Sequence, residues 1–376
     1  MIRRIRAIAK KEMRQIIRDV RTVIIILIFP VFTLVLFGYA LNFDVTNIQI
    51  GVYDQDMTYL SREYIKALGS TEYFKIKQYV NSEKDVNQLL DDKVVQCVVV
   101  IPSDLSSKFY SNENVKIQYL IDGINANNAT VIMNYVNAAT QDLTNKYTAE
   151  VLGRSGIKVY QPINVESRFW FNPELTTTQF LIPGLISAIL TTLTVVLTAI
   201  AIVREKELNT IEQINVSPVT SLELLLGKIL PYTVISTVIA VLILVAGHFM
   251  FDVAIKGNLV LLFISTILYL FVLLNMGIFV STIVETQQVA FQIGIIFSQL
   301  PSNLLSGFIF PIESMPKAVQ IASNIAPAKF YIITLRAILI RGVGLTAFWD
   351  QWLYMLGIGV FFLIFSQLRI KMQRVK

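Results

Sequence analysis

An uncharged apolar stretch, Thr22 to Leu41, stands alone near the front of this 376-residue chain, and sequence of ordinary soluble character follows it as far as residue 179. Five more apolar stretches then run almost without pause toward the end. A helix needs about 20 apolar residues to cross a hydrocarbon core about 30 Å thick. Six segments meet that need, at 22–41, 180–203, 229–251, 258–284, 286–312 and 351–368. None holds an Asp, Glu, Lys or Arg in its interior, and Glu285 falls between the fourth and fifth. One such charge at a helix centre would cost about 2.5–3.5 kcal/mol on insertion, so their absence is a strong signal. The first stretch is too long for the apolar region of a typical signal peptide and lacks a small-residue cleavage site, so it is expected to stay as an anchor. The fifth is unusual, because Pro301, Gly307 and Pro311 interrupt its second half. Broken helix at that depth survives only against protein or a wet cavity.

Charge sets the orientation. The chain is 54% hydrophobic and only 15% charged, against about 25% charged in soluble proteins. Residues 44–175 hold 12 Lys/Arg and 16 Asp/Glu, and the remainder holds 20 and 10. The positive excess therefore lies beside the apolar spans, which argues against nucleic acid as its reason. Arg3, Arg4, Arg6, Lys10, Lys11, Arg14, Arg18 and Arg21 precede the first span, and Arg369, Lys371, Arg374 and Lys376 follow the last. Positive charge stays on the cytoplasmic side, so both termini are expected there. That places 42–179 outside, 204–228 inside, 252–257 outside, 285 inside and 313–350 outside. Ile2, Ile5, Ala9, Met13, Ile16 and Val20 form one helical stripe with basic residues largely opposite. Residues 1–21 thus read as an interfacial amphipathic helix on the inner leaflet, or simply as the orientation signal.

Between the first two spans, strand-like and helix-like runs alternate. Strand patterns cover Ile48–Tyr53, Phe74–Val80, Val94–Ile101 and Val115–Ile121, the last closing on the turn signal Asp122-Gly123. Helical patterns cover Ser61–Leu68, Val86–Leu90, Ser103–Tyr110 and a long run, Asn125–Leu152. This predicts a small α/β domain of two βα-type halves with a packed core. It has no histidine and one cysteine, Cys97, inside an apolar run where a buried strand thiol is the ordinary reading. Asp54 with Asp56 and Asp91 with Asp92 are neighbouring carboxylates of the kind usually solvated at a surface. No catalytic constellation or nucleic-acid feature emerges. The expected fold class is a polytopic α-helical membrane protein, with six transmembrane helices plus an extracytoplasmic α/β domain inserted between helices 1 and 2.

The segment after the second span reads Arg204-Glu205-Lys206-Glu207-Leu208-Asn209-Thr210-Ile211-Glu212-Gln213-Ile214-Asn215-Val216-Ser217-Pro218-Val219. Thr210 can cap a short helix and Pro218 can end it. Ile211, Ile214 and Val216 give a small apolar face flanked by Glu207 and Glu212. Such a segment is either a docking element or a solvated connector, and the residues alone leave both readings open.

The pattern R-E-K-E-x-x-T-I-E-Q-x-x-V-S-P-V, followed by L-L-L-G-K at Leu224–Lys228, resembles the permease subunit of type-2 ATP-binding-cassette (ABC) exporters. The resemblance continues through Leu305-Ser306-Gly307-Phe308-Ile309-Phe310-Pro311-Ile312-Glu313-Ser314-Met315-Pro316, Pro327, Arg336-Ala337-Ile338 and Gly342-Val343-Gly344-Leu345. Ile101-Pro102 and Leu120–Ala129 also look familial. Asn209 departs from the pattern, since many relatives carry Gly there; Asn tolerates a left-handed turn. The resemblance implies a cytoplasmic coupling segment within 204–228 that docks an ATPase subunit, with Glu205, Glu207, Thr210, Ile211, Glu212, Ile214, Val216 and Pro218 carrying the coupling. It implies an outer re-entrant segment within 305–350, a transmembrane domain over 180–368 and a basic cytoplasmic tail at 369–376. It further implies a pair of permeases, either two copies or one with a sister permease, in a bacterial inner membrane. Two separate ATPase subunits would hold the ATP and Mg, a periplasmic adaptor often accompanies such permeases, and lipid surrounds the spans. The chain itself lacks a phosphate loop, because Gly227-Lys228 is followed by Ile229 without the upstream glycine.

The expected function is therefore a transport subunit that couples ATP hydrolysis on another chain to efflux of a drug-like or amphiphilic substrate. The alternatives are a six-span scaffold or receptor-like protein, or a polytopic membrane enzyme. The enzyme would need intramembrane His, Asp or Glu, and the only histidine, His248, lies near a span end without a partner in the sequence. Intramembrane polar side chains face a bundle interior more often than lipid. Asn275, Gln292, Ser298, Gln299 and Asn303 are accordingly the candidate pathway residues, with helix packing as the ordinary alternative for each.

Overall fold

A computed structural model describes residues 1–40, 48–70, 74–111, 113–124, 129, 132–137, 139–141, 144–145, 170–171, 176–208 and 221–375. The chain divides into two compact units, Phe43–Ser167 and the combination of Met1–Asn42 with Arg168–Lys376. In chain order, α1 (Ile2–Arg18) and α2 (Val20–Ala40) precede the first of these units. That unit contains β1 (Ile48–Asp54), α3 (Tyr59–Gly69), β2 (Phe74–Tyr79), α4 (Glu83–Asp91), β3 (Cys97–Ile101), α5 (Leu105–Tyr110) and β4 (Gln118–Ile121).

The four strands form one sheet in the order β2-β1-β3-β4. β1 runs parallel to both neighbours, and β4 is antiparallel to β3. The two βα halves expected from the sequence are thus parts of a single sheet. Its faces explain the unbroken apolar run of β3. Cys97, Val99 and Ile101 pack with Leu60, Tyr64, Leu68 and Ile132 on one face, while Val98 packs with Val86 and Leu89 on the other. A strand buried on both faces has no polar alternation to show. β3 starts at Cys97 rather than Val94, because the Val94 and Val95 amides donate to the Leu89 carbonyl and finish α4 instead. Asp54 and Asp56 are not loose surface carboxylates. Asp54 accepts from the Asp56 and Met57 amides and from Ser61 Oγ, and Asp56 accepts from Thr58 and Ser106 hydroxyls. Those hydroxyls hold the Asp56 carboxyl below its ordinary pKa although partial burial opposes them.

The second unit adds α6 (Thr177–Glu207), α7 (Ser221–Phe251), α8 (Leu259–Ile283), α9 (Gln287–Leu304), α10 (Lys317–Ala322), α11 (Pro327–Leu339) and α12 (Trp349–Val375). Among the described residues, five helices are long and apolar enough to cross a membrane: Val23–Ala40, Thr177–Glu207, Leu226–Phe251, Leu259–Ile283 and Trp349–Met372. α6 has 31 residues and so reaches about 46 Å, past both edges of a hydrocarbon core. α6 and α8 are mostly buried, whereas α2, α7 and α12 show Ile25, Phe32, Val234, Leu353 and Phe361 outward. Apolar exposure on that scale belongs against lipid rather than water. Close helix approach needs small residues. At Gly277 of α8 a Cβ would lie 2.6 Å from Thr198 Cβ and 2.8 Å from the Val195 carbonyl oxygen of α6.

The fifth expected span, 286–312, is shorter than the sequence suggested. Its helix, α9, has 18 residues and ends at Leu304, and it is not among the five long apolar helices. Pro301 sits inside its last turn, and Gly307 adopts a left-handed φ of 77° that turns the chain away. The following stretch, read as an outer loop, contains α11, a 13-residue helix whose Phe330, Tyr331, Thr334 and Leu335 are buried in the helical core. There Tyr331 stacks on Tyr269 at 4.0 Å. Tyr269 meets Ser187 and Thr191, and Tyr331 meets Thr266. This hydroxyl network satisfies the polar atoms of a core that water does not reach.

Candidate functional site

One end of the helical unit gathers ionic side chains from α1, α6 and α7. Lys228 Nζ lies 3.2 Å from Glu205 Oε1 and 3.5 Å from Glu12 Oε1. Lys11 Nζ lies 3.1 Å and 3.6 Å from the same two oxygens. Lys228 and Glu12 are almost wholly buried, and Lys228 also donates to the Ala201 carbonyl. Burial works against the Lys11 ammonium, but Glu205 and Glu12 outweigh it and hold its pKa above the ordinary value. Beside this cluster, buried Glu223 takes the Met1 ammonium at 3.4 Å and Arg4 at 3.6 Å. The stripe expected on α1 is partly this packed face: Ile5, Ala9, Met13 and Ile16 are half-buried, Ile2 and Val20 are exposed, and Glu12 joins the buried side. α1 can come this close because Gly227 of α7 lies under Ile8; a Cβ there would be 2.7 Å from Ile8 Cβ.

The last turn of α6 reaches the α8–α9 corner as well. Lys206 Nζ donates to the Ser281 and Val284 carbonyls at the end of α8. Glu207 Oε2 accepts the Gln287 backbone N–H at 3.0 Å and its side-chain amide at 2.9 Å at the start of α9. A cation on the carbonyl end of one helix and an anion on the amide end of the next complement both dipoles. Three consecutive residues, Glu205, Lys206 and Glu207, therefore tie α6 to α1, α7, α8 and α9. Thr210, Ile211, Glu212, Ile214, Val216 and Pro218 lie outside the described residues.

Of the candidate pathway residues, Gln292 and Gln299 are exposed on α9 and Asn303 is half-buried. Their spacing of seven and four places them on one stripe, which Gln288 extends. Ser298 is on the opposite, buried face with Gly294 and Ser302, where it donates to the Ile295 carbonyl. Asn275 is buried in α8; its Nδ2 donates to the Phe271 carbonyl at 2.7 Å, and its Oδ1 has no hydrogen-bond partner. The structure thus brings three of the five together. His248 bonds the Val253 carbonyl at 2.9 Å at the end of α7, a local closure of the turn.

The opposite end carries the Leu305–Pro311 turn. Arg336 of α11 donates to the Gly307 carbonyl at 3.1 Å and the Phe180 carbonyl at 3.0 Å, and its guanidinium lies 4.0 Å from the centre of the Phe180 ring. Phe308 fills the space over Gly184 of α6, where a Cβ would stand 2.2 Å from its ring. The irregular backbone of this turn is thereby satisfied by protein.

The chain matches the ABC-2 family transporter protein over residues 20–368. It belongs to that family. It is 31% identical over 342 residues to "Probable multidrug ABC transporter permease YbhS" of Escherichia coli strain K12, covering 90% of this chain and 89% of that protein. It is 28% identical over 353 residues to "Probable multidrug ABC transporter permease YbhR" of the same strain, covering 93% and 94%. "Inner membrane transport permease YhhJ" of that strain is 28% identical over 331 residues, covering 86% and 84%. The protein is therefore a multi-pass membrane permease of the ABC-2 type, a transport subunit. Within this member, sequence reasoning missed Lys11, Glu12, Lys228 and Lys206. Glu12 offered a signal, since it is the one acid among residues 1–18 and sits beside the apolar stripe of α1. Lys228 offered another, because it follows Gly227 inside an otherwise apolar run.

Proposed function

We propose that this permease is the membrane subunit of an exporter for drug-like or amphiphilic molecules in a bacterial inner membrane, driven by ATP and Mg held on separate ATPase subunits. Two copies, or one copy and a sister permease, form the pathway, and a periplasmic adaptor continues it. α9 serves as the sixth crossing alongside the five long helices. Both termini are cytoplasmic, and the α/β unit stands on the far side. The polar stripe of Gln292, Gln299 and Asn303 lines the route, because three amides on an exposed helix face suit a partner or a wet channel better than lipid.

The observation that carries this reading is the anchoring at Glu205–Glu207. A docked segment immediately after these residues would pull on α1, α7, α8 and α9 together, which turns a local push into movement of the bundle. Ile211 and Ile214 would supply apolar anchors, with Glu212 facing a basic rim. Truncating well-packed anchors costs about 2 kcal/mol or more. Ile211→Ala with Ile214→Ala is therefore expected to weaken ATPase capture and abolish export at normal membrane levels of the protein. Pull-down and transport in the same vesicles measure both, and unchanged capture together with unchanged export would favour a plain connector.

A further inference from the structure

The α/β unit holds a cavity of about 590 Å³ that the transport reading does not use. Its walls come from α3, α5, the chain leading into β4, and the helical residues Met133, Val136, Asn137, Thr140 and Thr144. Leu60, Leu105, Phe109, Ile117, Met133 and Val136 give it an apolar lining. Small-molecule sites are apolar concavities of about 300–1,000 Å³ with a few convergent polar groups, and this cavity has such a group. Tyr64 Oη touches Tyr119 Oη and lies 2.9 Å from Thr140 Oγ1. All three residues line the space. Tyr119 and Thr140 also interact through their side chains, so the three hydroxyls form one cluster whose protons can reorient toward an outside acceptor. Burial pushes both phenols up in pKa, so they remain neutral donors at any physiological pH. Among the described residues, no carboxylate lines the cavity, and the exposed Lys116 is the one charged lining residue.

We propose that this cavity is a binding site for an amphiphile with an apolar body and an anionic, oxygen-bearing head. The body lies against Leu105, Phe109 and Val136. The head accepts from the Tyr64–Tyr119–Thr140 hydroxyls and is drawn in by Lys116. An apolar wall without a donor would hold hydrocarbon but not orient it, and a cationic ligand would meet a lysine with no counter-charge among the described lining residues. The site needs neither nucleotide nor ATPase, so it stands or falls apart from the transport reading.

The test uses the full chain in lipid nanodiscs without ATPase or nucleotide. The probe is a dodecanoate bearing an alkyl diazirine, with its methyl ester as the neutral control, and cross-links are mapped by peptide. The carboxylate is expected to label peptides spanning 105–119 and 132–140 more than the ester does. Lys116→Glu should lower carboxylate labelling there by about five-fold, the equivalent of roughly 1 kcal/mol at an exposed charge, and leave the ester unchanged. Met133→Trp, at an exposed position that tolerates bulk, should fill the cavity and remove most labelling by both. Labelling confined to the apolar helices would overturn the proposal, as would labelling of the α/β peptides that neither variant changes. Loss in Met133→Trp with no response to Lys116→Glu would overturn the anionic head.

Discussion

The two ends of the helical unit are tied by different chemistry. At the end where α1 packs, opposite charges meet directly: Lys228 and Lys11 face Glu12 and Glu205. At the other end, Arg336 has no carboxylate within ion-pair range among the described residues and spends its donors on two backbone carbonyls and an aromatic ring. The first arrangement joins helices side chain to side chain, so each partner depends on the others being charged. The second fixes one turn of irregular backbone, so it depends on the shape of a single planar group. A segment that transmits force is better served by the first, because ion pairs can be displaced and remade as helices shift. A turn that must stay closed is better served by the second.

The comparison breaks most sharply at Lys228. Lys228→Met removes the buried ammonium from beside both the buried Glu12 and Glu205. Removing one member of a buried ion pair costs about 3–5 kcal/mol, so this variant should show the largest loss of thermal stability in detergent. Neutralising the set together, with Glu12→Gln, Glu205→Gln and Lys228→Met, should recover most of that loss, because the penalty comes from uncompensated charge rather than lost shape. Size-exclusion analysis after heating reads both. A triple variant as unstable as the single one would show that packing of the lysine stem, not charge, holds this end.

At the other end, Arg336→Ala should cost about 2–3 kcal/mol, since hydrogen bonds to a charged group contribute about 1.5–3 kcal/mol and the buried Arg336 Nε, which has no hydrogen-bond partner, offsets part of the gain. Arg336→Lys should restore little, because an ammonium cannot span two carbonyls and lie flat on Phe180. Full recovery with lysine would mean that a point charge suffices, and the contrast between the ends would disappear. The same heating assay applies.

How much of this was legible depended on the physical range of each signal. The long apolar helices showed themselves because insertion penalises every internal charge, and α2, α6, α7, α8 and α12 lie close to the segments read from hydropathy. The strands of the α/β unit showed themselves through local pattern, though not the sheet order, since pairing β1 between β2 and β3 is a non-local fact. α11 was hidden because 13 residues with Lys329 and Arg336 fall short of a crossing. Glu205 and Glu207 drew attention as part of a motif, but their partners Lys228 and Gln287 are distant in sequence. The polar stripe of α9 was legible as composition, while its split from Ser298 needed the helix to be seen against α6.

The smallest expected effect lies within the charged cluster itself, at Lys11. Its side chain is about 59% exposed, so water screens its pairs with Glu205 and Glu12, and the contribution to stability should be no more than about 1 kcal/mol. The sign of its pH dependence still distinguishes it. Its folded pKa is raised above 10.5, so the folded chain binds its proton more tightly than the unfolded chain does. Its stabilisation is therefore complete below pH 10.5 and fades only as pH climbs through the raised value. The difference in melting temperature between the wild type and Lys11→Gln should be small and level from pH 6 to pH 9, and should shrink toward zero above about pH 10.5. Raised salt should shrink it too, because the pair is open to solvent. A difference that grew with pH, or that ignored both pH and salt, would place Lys11 in the packing of α1 rather than in the ionic network.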